Sequence, residues 1–248
     1  MSDPVFLFIF ATVTFLLAGT IKGAIGIGMP TAAIGMLSQI IEPKTAIALV
    51  VLPTFVSNAW QMFRSGEIVR ACKDYWIFIV VMMVVLWATT FITGAASQET
   101  LLLIIGFVVV AFSLTSLFLS PPRLPTRFDN AAQAVLGTVA GVLGGLTAVW
   151  AAPIVIYLVS RRTEKEEFIR ATGLLITFGS IPLVLGFWRN GIFSQDTATL
   201  SAFLILPALL GFRLGEMIRA RLPVNGFATT VQVLFLLMGL NIIRRALF

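Results

Sequence analysis

The chain has no histidine, a single cysteine and little charge: Asp, Glu, Lys and Arg make up 11% of its 248 residues, against about 25% in a soluble domain. Each shortage removes a class of function. Without histidine the commonest metal ligand and the ordinary neutral-pH switch are gone, and with Cys72 alone no intramolecular disulfide can form. Structural zinc, haem and histidine-based catalysis are poor hypotheses, and no cofactor is expected. So few charges cannot cover an ordinary water-facing surface. Carboxylates are scarce where a proton-coupled carrier would want one: Glu67, Glu99, Glu164, Glu166 and Glu167 fall in polar stretches or at segment ends. Glu216 lies three residues from both Arg213 and Arg219, and on a helix these share a face and can pair.

What is abundant is apolar sequence. Hydrophobic residues reach 58%, where a soluble domain has about 45–50%. They fall in blocks at about 5–37, 45–62, 75–93, 100–119, 131–159, 171–188, 197–218 and 226–243. A helix needs roughly 20 residues to cross about 30 Å of hydrocarbon, and these blocks reach or approach that length. The chain therefore reads as an all-α polytopic membrane protein whose partner is the lipid bilayer. No stretch between blocks is long enough for a soluble domain, so residues 1–248 are expected to form one membrane domain. The first block has no basic leader and no small-residue cleavage site, and reads as a retained segment. The formal net charge is +6, but the basic residues sit in short stretches between blocks. There they are an orientation signal and not a nucleic-acid surface.

The run Ser120-Pro121-Pro122-Arg123-Leu124-Pro125 divides the sequence near its midpoint, and each side opens with a long, glycine-rich block interrupted by proline. Gly19, Gly23 and Gly26 match Gly137, Gly141 and Gly144 in spacing, and Arg64-Ser65-Gly66 is echoed by Arg189-Asn190-Gly191. This pattern predicts two homologous repeats of four apolar segments, 5–119 and 131–245. Counted as single crossings, the eight segments divide the basic residues evenly between the two sides. Blocks 1 and 5 are too long for one crossing, and glycine and proline in their middles suggest a break. If each is a hairpin that enters and leaves on one side, only Lys44, Arg189, Arg244 and Arg245 lie opposite the remaining basic residues. That is the asymmetry of the positive-inside rule. It places the central loop 120–130 in the cytoplasm and inverts the repeats relative to each other, an architecture that supports alternating access.

Broken helices at membrane depth are tolerated only where the freed backbone faces protein or a wet cavity. Half-helix amino termini there offer N–H groups and a positive dipole end to an anion. Such ends are expected within Gly23–Pro30 and Gly141–Pro153. The candidate substrate-binding residues are Lys22, Gly23, Gly26, Gly28, Pro30, Gly141, Gly144, Gly145, Thr147 and Pro153, with Asn58 added because an amide exposes more polar groups than its own helix can meet. Gln61 shares that property, and because both amides lie beside Trp60 and close to a basic loop, an interfacial position is the competing reading. Lys22, inside an apolar stretch, marks either a site or a cation that snorkels to the interface. The glycines serve either the site or close helix packing. Most threonines in the spans, such as Thr20, Thr89 and Thr172, are expected to bond back to their own helices. Ala140 occupies the position that matches Lys22, so the site is asymmetric in charge.

The motifs Gly19-x-x-x-Gly23-x-x-Gly26-x-Gly28-x-Pro30, Gly137-x-x-x-Gly141-x-x-Gly144-Gly145 with Ala152-Pro153, and Gly211-x-x-x-Gly215 followed by Arg221 and Gly239-Leu240-Asn241 are similar to those of the TauE/SafE sulfite exporters, also described as sulfur-anion permeases. The resemblance covers essentially the whole chain. It implies a duplicated protein of the bacterial inner membrane that moves a small anion such as sulfite, thiosulfate or an organosulfonate. The second half spreads the stretch between Gly144 and Pro153, so strict two-fold symmetry of the site is not expected. An anion channel and an intramembrane enzyme are the competing readings; the enzyme has too few histidines, cysteines and acids to draw on, which leaves it a serine nucleophile with a lysine base. Oligomeric state is not readable from small-residue faces.

Overall fold

The structure is a computed structural model that describes residues 4–118, 121–221 and 224–247. Leu119 and Ser120, at the end of the expected first repeat and the start of the proline-rich run, lie outside the described residues. So do Met1–Asp3, Leu222, Pro223 and Phe248. The described elements are α1 Pro4–Ile25, α2 Met29–Leu37, α3 Pro43–Ser65, α4 Ile68–Asp74, α5 Trp76–Ala95, α6 Gln98–Phe118, α7 Asp129–Thr147, α8 Ala151–Ser160, α9 Lys165–Arg189, α10 Gln195–Phe203, α11 Ile205–Arg221 and α12 Val224–Leu247. A 3-10 turn over Thr126–Phe128 precedes α7, and no strand occurs among the described residues.

Seven helical stretches are long and apolar enough to cross a membrane: α1, α3, α5, α6, α9, α10 together with α11, and α12. Their apolar side chains point outward as well as inward, with Val80 and Val84 of α5, Leu206 and Leu210 of α11 and Leu234 and Leu237 of α12 exposed. On a soluble protein that surface would aggregate, whereas in a bilayer it is solvated. The chain is an all-helical, polytopic membrane protein.

Two helices stop inside the apolar blocks. α1 gives way at Gly26–Gly28 and resumes as α2. Gly26 has φ +96 and Gly28 φ +97, the left-handed region that side chains other than glycine rarely adopt. α7 gives way at Ala148–Trp150 and resumes as α8. Here Ala148 itself is left-handed at φ +55, and the Thr147 hydroxyl holds the turn by accepting from the Val149 N–H at 3.1 Å and donating to the Leu143 carbonyl at 2.7 Å. With 9 and 10 residues, α2 and α8 extend about 13–15 Å, too short to cross.

Polar contacts sort the helix ends into two groups. At one end, Arg64 of α3 meets Glu216 of α11 at 3.1 Å, Arg170 of α9 reaches Glu67 at 2.7 Å, and Gln133 of α7 donates to the Asp74 carbonyl at 3.0 Å. Most basic residues lie at this basic end. At the far end, Lys44 donates to the Gly94 carbonyl at 3.1 Å, Asn190 to the Thr90 carbonyl at 3.0 Å, and Arg245 to the Ser38 carbonyl at 2.8 Å. α7 leaves from the basic end and α8 returns to it: Asp129 at the start of α7 accepts from the Tyr157 hydroxyl at 3.0 Å and lies 3.5 Å from Arg161. The Arg161 guanidinium stacks over the Tyr75 and Tyr157 rings, and Tyr75 donates to Glu167 at 2.6 Å. Burial, reinforced by that carboxylate, pushes the Tyr75 phenol well above its usual range, so it remains a donor. α1 instead runs toward the basic end and α2 heads back, its following residue Gln39 accepting from Asn241 of α12.

Two polar stretches read as loops are partly helical. α4 lies within Arg64–Asp74, where Arg70 reaches Glu67 and Asp74 at i−3 and i+4. Lys165–Arg170 forms the first turns of α9, whose Glu166 and Glu167 suit the positive dipole end.

The principal packing pairs are α1 with α11, α5 with α7, α6 with α12 and α3 with α9. Glycine decides the first two. A Cβ added at Gly211 would lie 2.0 Å from the Leu16 carbonyl oxygen, one at Gly215 2.1 Å from that of Thr20, one at Gly19 2.2 Å from that of Ala208, and one at Gly23 2.1 Å from that of Phe212. The backbones of α1 and α11 are in direct contact, the close approach that small residues permit in membranes. Gly141 and Gly145 serve the same end against α5, where a Cβ would meet Val85 at 2.7 Å and Thr89 at 2.6 Å. Gly211→Leu should therefore cost about 1–3 kcal/mol or more and lower the melting temperature of the detergent-solubilised protein, whereas Val84→Leu on the lipid-facing side should melt like the parent. Equal melting of the two variants would show that the α1–α11 contact is not needed.

Candidate functional site

Lys22 lies in the last turn of α1 and is 1% exposed. It does not snorkel, because α11 and α3 close over it. Its Nζ donates to Ser57 Oγ of α3 at 3.1 Å and sits 5.3 Å from the centre of the Phe212 ring of α11. Both partners are neutral, and among the described residues no carboxylate forms an ion pair with Lys22. Glu216, one turn beyond Phe212, is taken by Arg64 at 3.1 Å and Arg213 at 3.7 Å. It does not pair with Arg219 on its other side. A buried amino group held only by a hydroxyl and a ring keeps unused donor capacity, and in its charged form it would be uncompensated.

The middle of α3 supplies the rest of the polar floor. Ser57 Oγ and Asn58 Nδ2 both donate to the Thr54 carbonyl, at 3.2 and 2.8 Å. Asn58 Oδ1 and Thr54 Oγ1 are buried with no hydrogen-bond partner. One turn on, Gln61 is buried too, and its Nε2 donates to the Ile169 carbonyl at 2.8 Å and Thr172 Oγ1 at 3.1 Å, clamping α3 to α9. The start of α2 joins this group through Met29, whose sulfur lies 3.9 Å from Ser57 Oγ. Gly28 precedes it as the N-cap, and Pro30 sits in the first turn. Thr31 Oγ1, in the same turn, is likewise unpartnered, while Thr20, Thr89 and Thr172 bond back to their own helices.

Two cavities flank the first break. One, of about 180 Å³, opens at the basic end and is lined by Gly26, Gln61, Arg64, Phe212, Glu216 and Arg219 among others. Its Phe212 wall is the ring that covers Lys22. The other, of about 330 Å³, lies between the two broken units, with Ile25 and Ile27 on one side and Ala152, Val155 and Ile156 of α8 on the other.

The residues singled out by sequence separate into groups. Lys22 bonds to Ser57, the chain neighbour of Asn58, and Gly28 and Pro30 flank Met29, whose sulfur lies beside Ser57 Oγ. Gly26 opens the adjoining cavity, and nothing lies within 4 Å of where its Cβ would be. Gly23, Gly141 and Gly145 are at helix–helix contacts, and Gly144 packs on Leu86 and Trp150. Thr147 caps the second break, and Pro153 is buried in the first turn of α8. Ser57 and Phe212 went unnoticed in the sequence: each is an ordinary membrane-helix residue, and only the tertiary pairing of α1 with α3 and α11 brings them to Lys22. Trp150 was also missed, and its buried indole N–H is without a partner.

No curated protein and no solved structure matches the chain. A family model described as Sulfite exporter TauE/SafE matches residues 11–242. The match runs from within α1 to within α12 and takes in both breaks, Lys22 and the polar stretch of α3, and the chain accordingly belongs to the TauE/SafE sulfite-exporter family.

Proposed function

We propose that this protein carries a small sulfur-containing anion, such as sulfite, thiosulfate or an organosulfonate, across the bacterial inner membrane by alternating access, with Lys22 at the binding site. The observation that carries this reading is the buried Lys22 ammonium with only neutral partners. A cation in such a place is stabilised by an anion that enters beside it, and the amino terminus of α2, brought in by Met29, adds to that attraction. Arg64 and Arg219 line the outer cavity and would raise the local concentration of anions there. Phe212 then stands between this vestibule and Lys22, closing the site in the present conformation.

The packing favours inverted repeats. Exchanging α1–α6 for α7–α12 turns the α1–α11 pair into the α7–α5 pair and leaves α3–α9 and α6–α12 as they are. The α1–α2 and α7–α8 units turn from opposite ends of the bundle, as an inverted duplication requires. The basic end, including the central loop, is assigned to the cytoplasm by the positive-inside rule.

Proteoliposomes should show saturable uptake of at least one of sulfite, thiosulfate and a small sulfonate. Lys22→Gln should weaken it about 10- to 100-fold in KM, the effect of losing a hydrogen bond to a charged group. Saturable uptake indifferent to Lys22→Gln would remove Lys22 from the site, flux that does not saturate would favour a channel, and no flux of any of these anions would reject the sulfur-anion assignment.

Cys72, the only thiol, lies in α4 at the basic end and is partly exposed. An impermeant maleimide should label it in inside-out vesicles and not in intact spheroplasts. Burial pushes this thiol up, so less thiolate is present at neutral pH and labelling should accelerate as the pH is raised. A cysteine at Gln195, at the far end of the bundle, placed in a Cys72→Ser background, should show the opposite sidedness. Labelling of Cys72 in spheroplasts would invert the proposed orientation.

A further inference from the structure

The Asn58 side chain has a fixed orientation. Its Nδ2 donates to the Thr54 carbonyl at 2.8 Å, an atom that can only accept, so the remaining amide atom is the acceptor Oδ1. Oδ1 is buried without a partner in a residue 1% exposed, and the neighbouring Thr54 hydroxyl, in a residue 2% exposed, is unpartnered as well. Asn58 and Lys22 are joined by a short chain of contacts: Asn58 Nδ2 and Ser57 Oγ share the Thr54 carbonyl, and Lys22 Nζ donates to Ser57 Oγ. The group thus offers one ammonium, one hydroxyl and one carbonyl oxygen that needs a donor.

A bare oxyanion fits only part of this set. Its oxygens satisfy Lys22, but all of its polar atoms accept, and one placed against Asn58 Oδ1 sets lone pairs against lone pairs. A dianion would also bring one more negative charge than Lys22 neutralises, in a place where unpaired charge is costly. Resting on the reading of Lys22 as the anion site, we propose that the site selects a monoanion that carries its own hydroxyl, a protonated oxyanion or a hydroxylated sulfonate, with its charged oxygens on Lys22 Nζ and its O–H donating to Asn58 Oδ1. Asn58 is then the specificity-determining residue and Lys22 the affinity-determining one. Sulfate, with two charges and no O–H, is excluded on both counts.

The test compares 2-hydroxyethanesulfonate with ethanesulfonate, equal in charge and differing by one hydroxyl. Each is titrated against the purified full-length protein in detergent, with ligand-induced stabilisation as the readout and sulfite as a third probe. In the parent the hydroxylated ligand should bind about tenfold or more tightly than ethanesulfonate, as expected where a buried acceptor would otherwise stay unpaired. Asn58→Leu should bring the two within about twofold of each other, and Lys22→Gln should weaken binding of both about 10- to 100-fold. Equal binding of the two sulfonates by the parent, or binding of sulfite that tightens as the pH is raised and the dianion replaces the protonated form, would overturn the proposal while leaving the Lys22 site standing. Binding left unchanged by Lys22→Gln would bring down the site and the proposal together. The parent comparison needs no variant, so a failure of Asn58→Leu to fold leaves the test decisive.

Discussion

Gly19 and Gly23 of α1 rest on the backbone of α11, and Gly211 and Gly215 return the contact. The position of Lys22 depends on that packing. With the two helices this close, the turn of α1 that carries Lys22 cannot rotate toward lipid, and its side chain is directed between α3 and α11 onto Ser57 and Phe212. Larger residues would separate the helices and give the ammonium a route to the surface. In a bilayer little hydrophobic force draws one helix to another, so small-residue contact is among the few means of fixing a costly group in place.

The two helix breaks solve one problem with different chemistry. The first uses glycine for its left-handed residues and leaves open space beside Gly26. The second is filled: Ala148 takes the left-handed conformation, Thr147 supplies a hydroxyl to the freed backbone, and Trp150 packs on Gly144 and Gly179. The polar, unpartnered groups next to the buried cation belong to the first break and α3. The second half contributes apolar walls from α8 and the α9 helix that Gln61 clamps. The two halves do not share this chemistry, and the Ala140 that matches Lys22 in glycine spacing already marks the difference.

The spans were legible in the sequence because membrane helices announce themselves by length and apolarity. Helices at polar boundaries, α4 and the first turns of α9, were not, since their charged residues read as loop until ion pairs such as Arg70–Glu67 and Arg170–Glu67 are in view. Within the site, Lys22 was conspicuous as a charge in an apolar run, and Asn58 as an amide. Their partners were hidden for a physical reason: Ser57 is 35 positions from Lys22 and Phe212 is in the other half of the chain, and nothing in a helical period encodes which helices will be neighbours. Gly23, Gly141 and Gly145 carry the same residue type as Gly26 and Gly28, and only the structure separates those that touch a neighbouring backbone from those that let the chain turn.

The Asp129, Tyr157 and Arg161 cluster has a mechanical consequence. It staples the beginning of α7 to the end of α8, and the stacked Tyr75 ring fastens that staple to α5 and, through Glu167, to α9. The turn of the α1–α2 unit instead carries two left-handed glycines, with open space beside Gly26. With no side chain at Gly26 and nothing beside it, the backbone can turn there with little steric hindrance, one turn from Lys22.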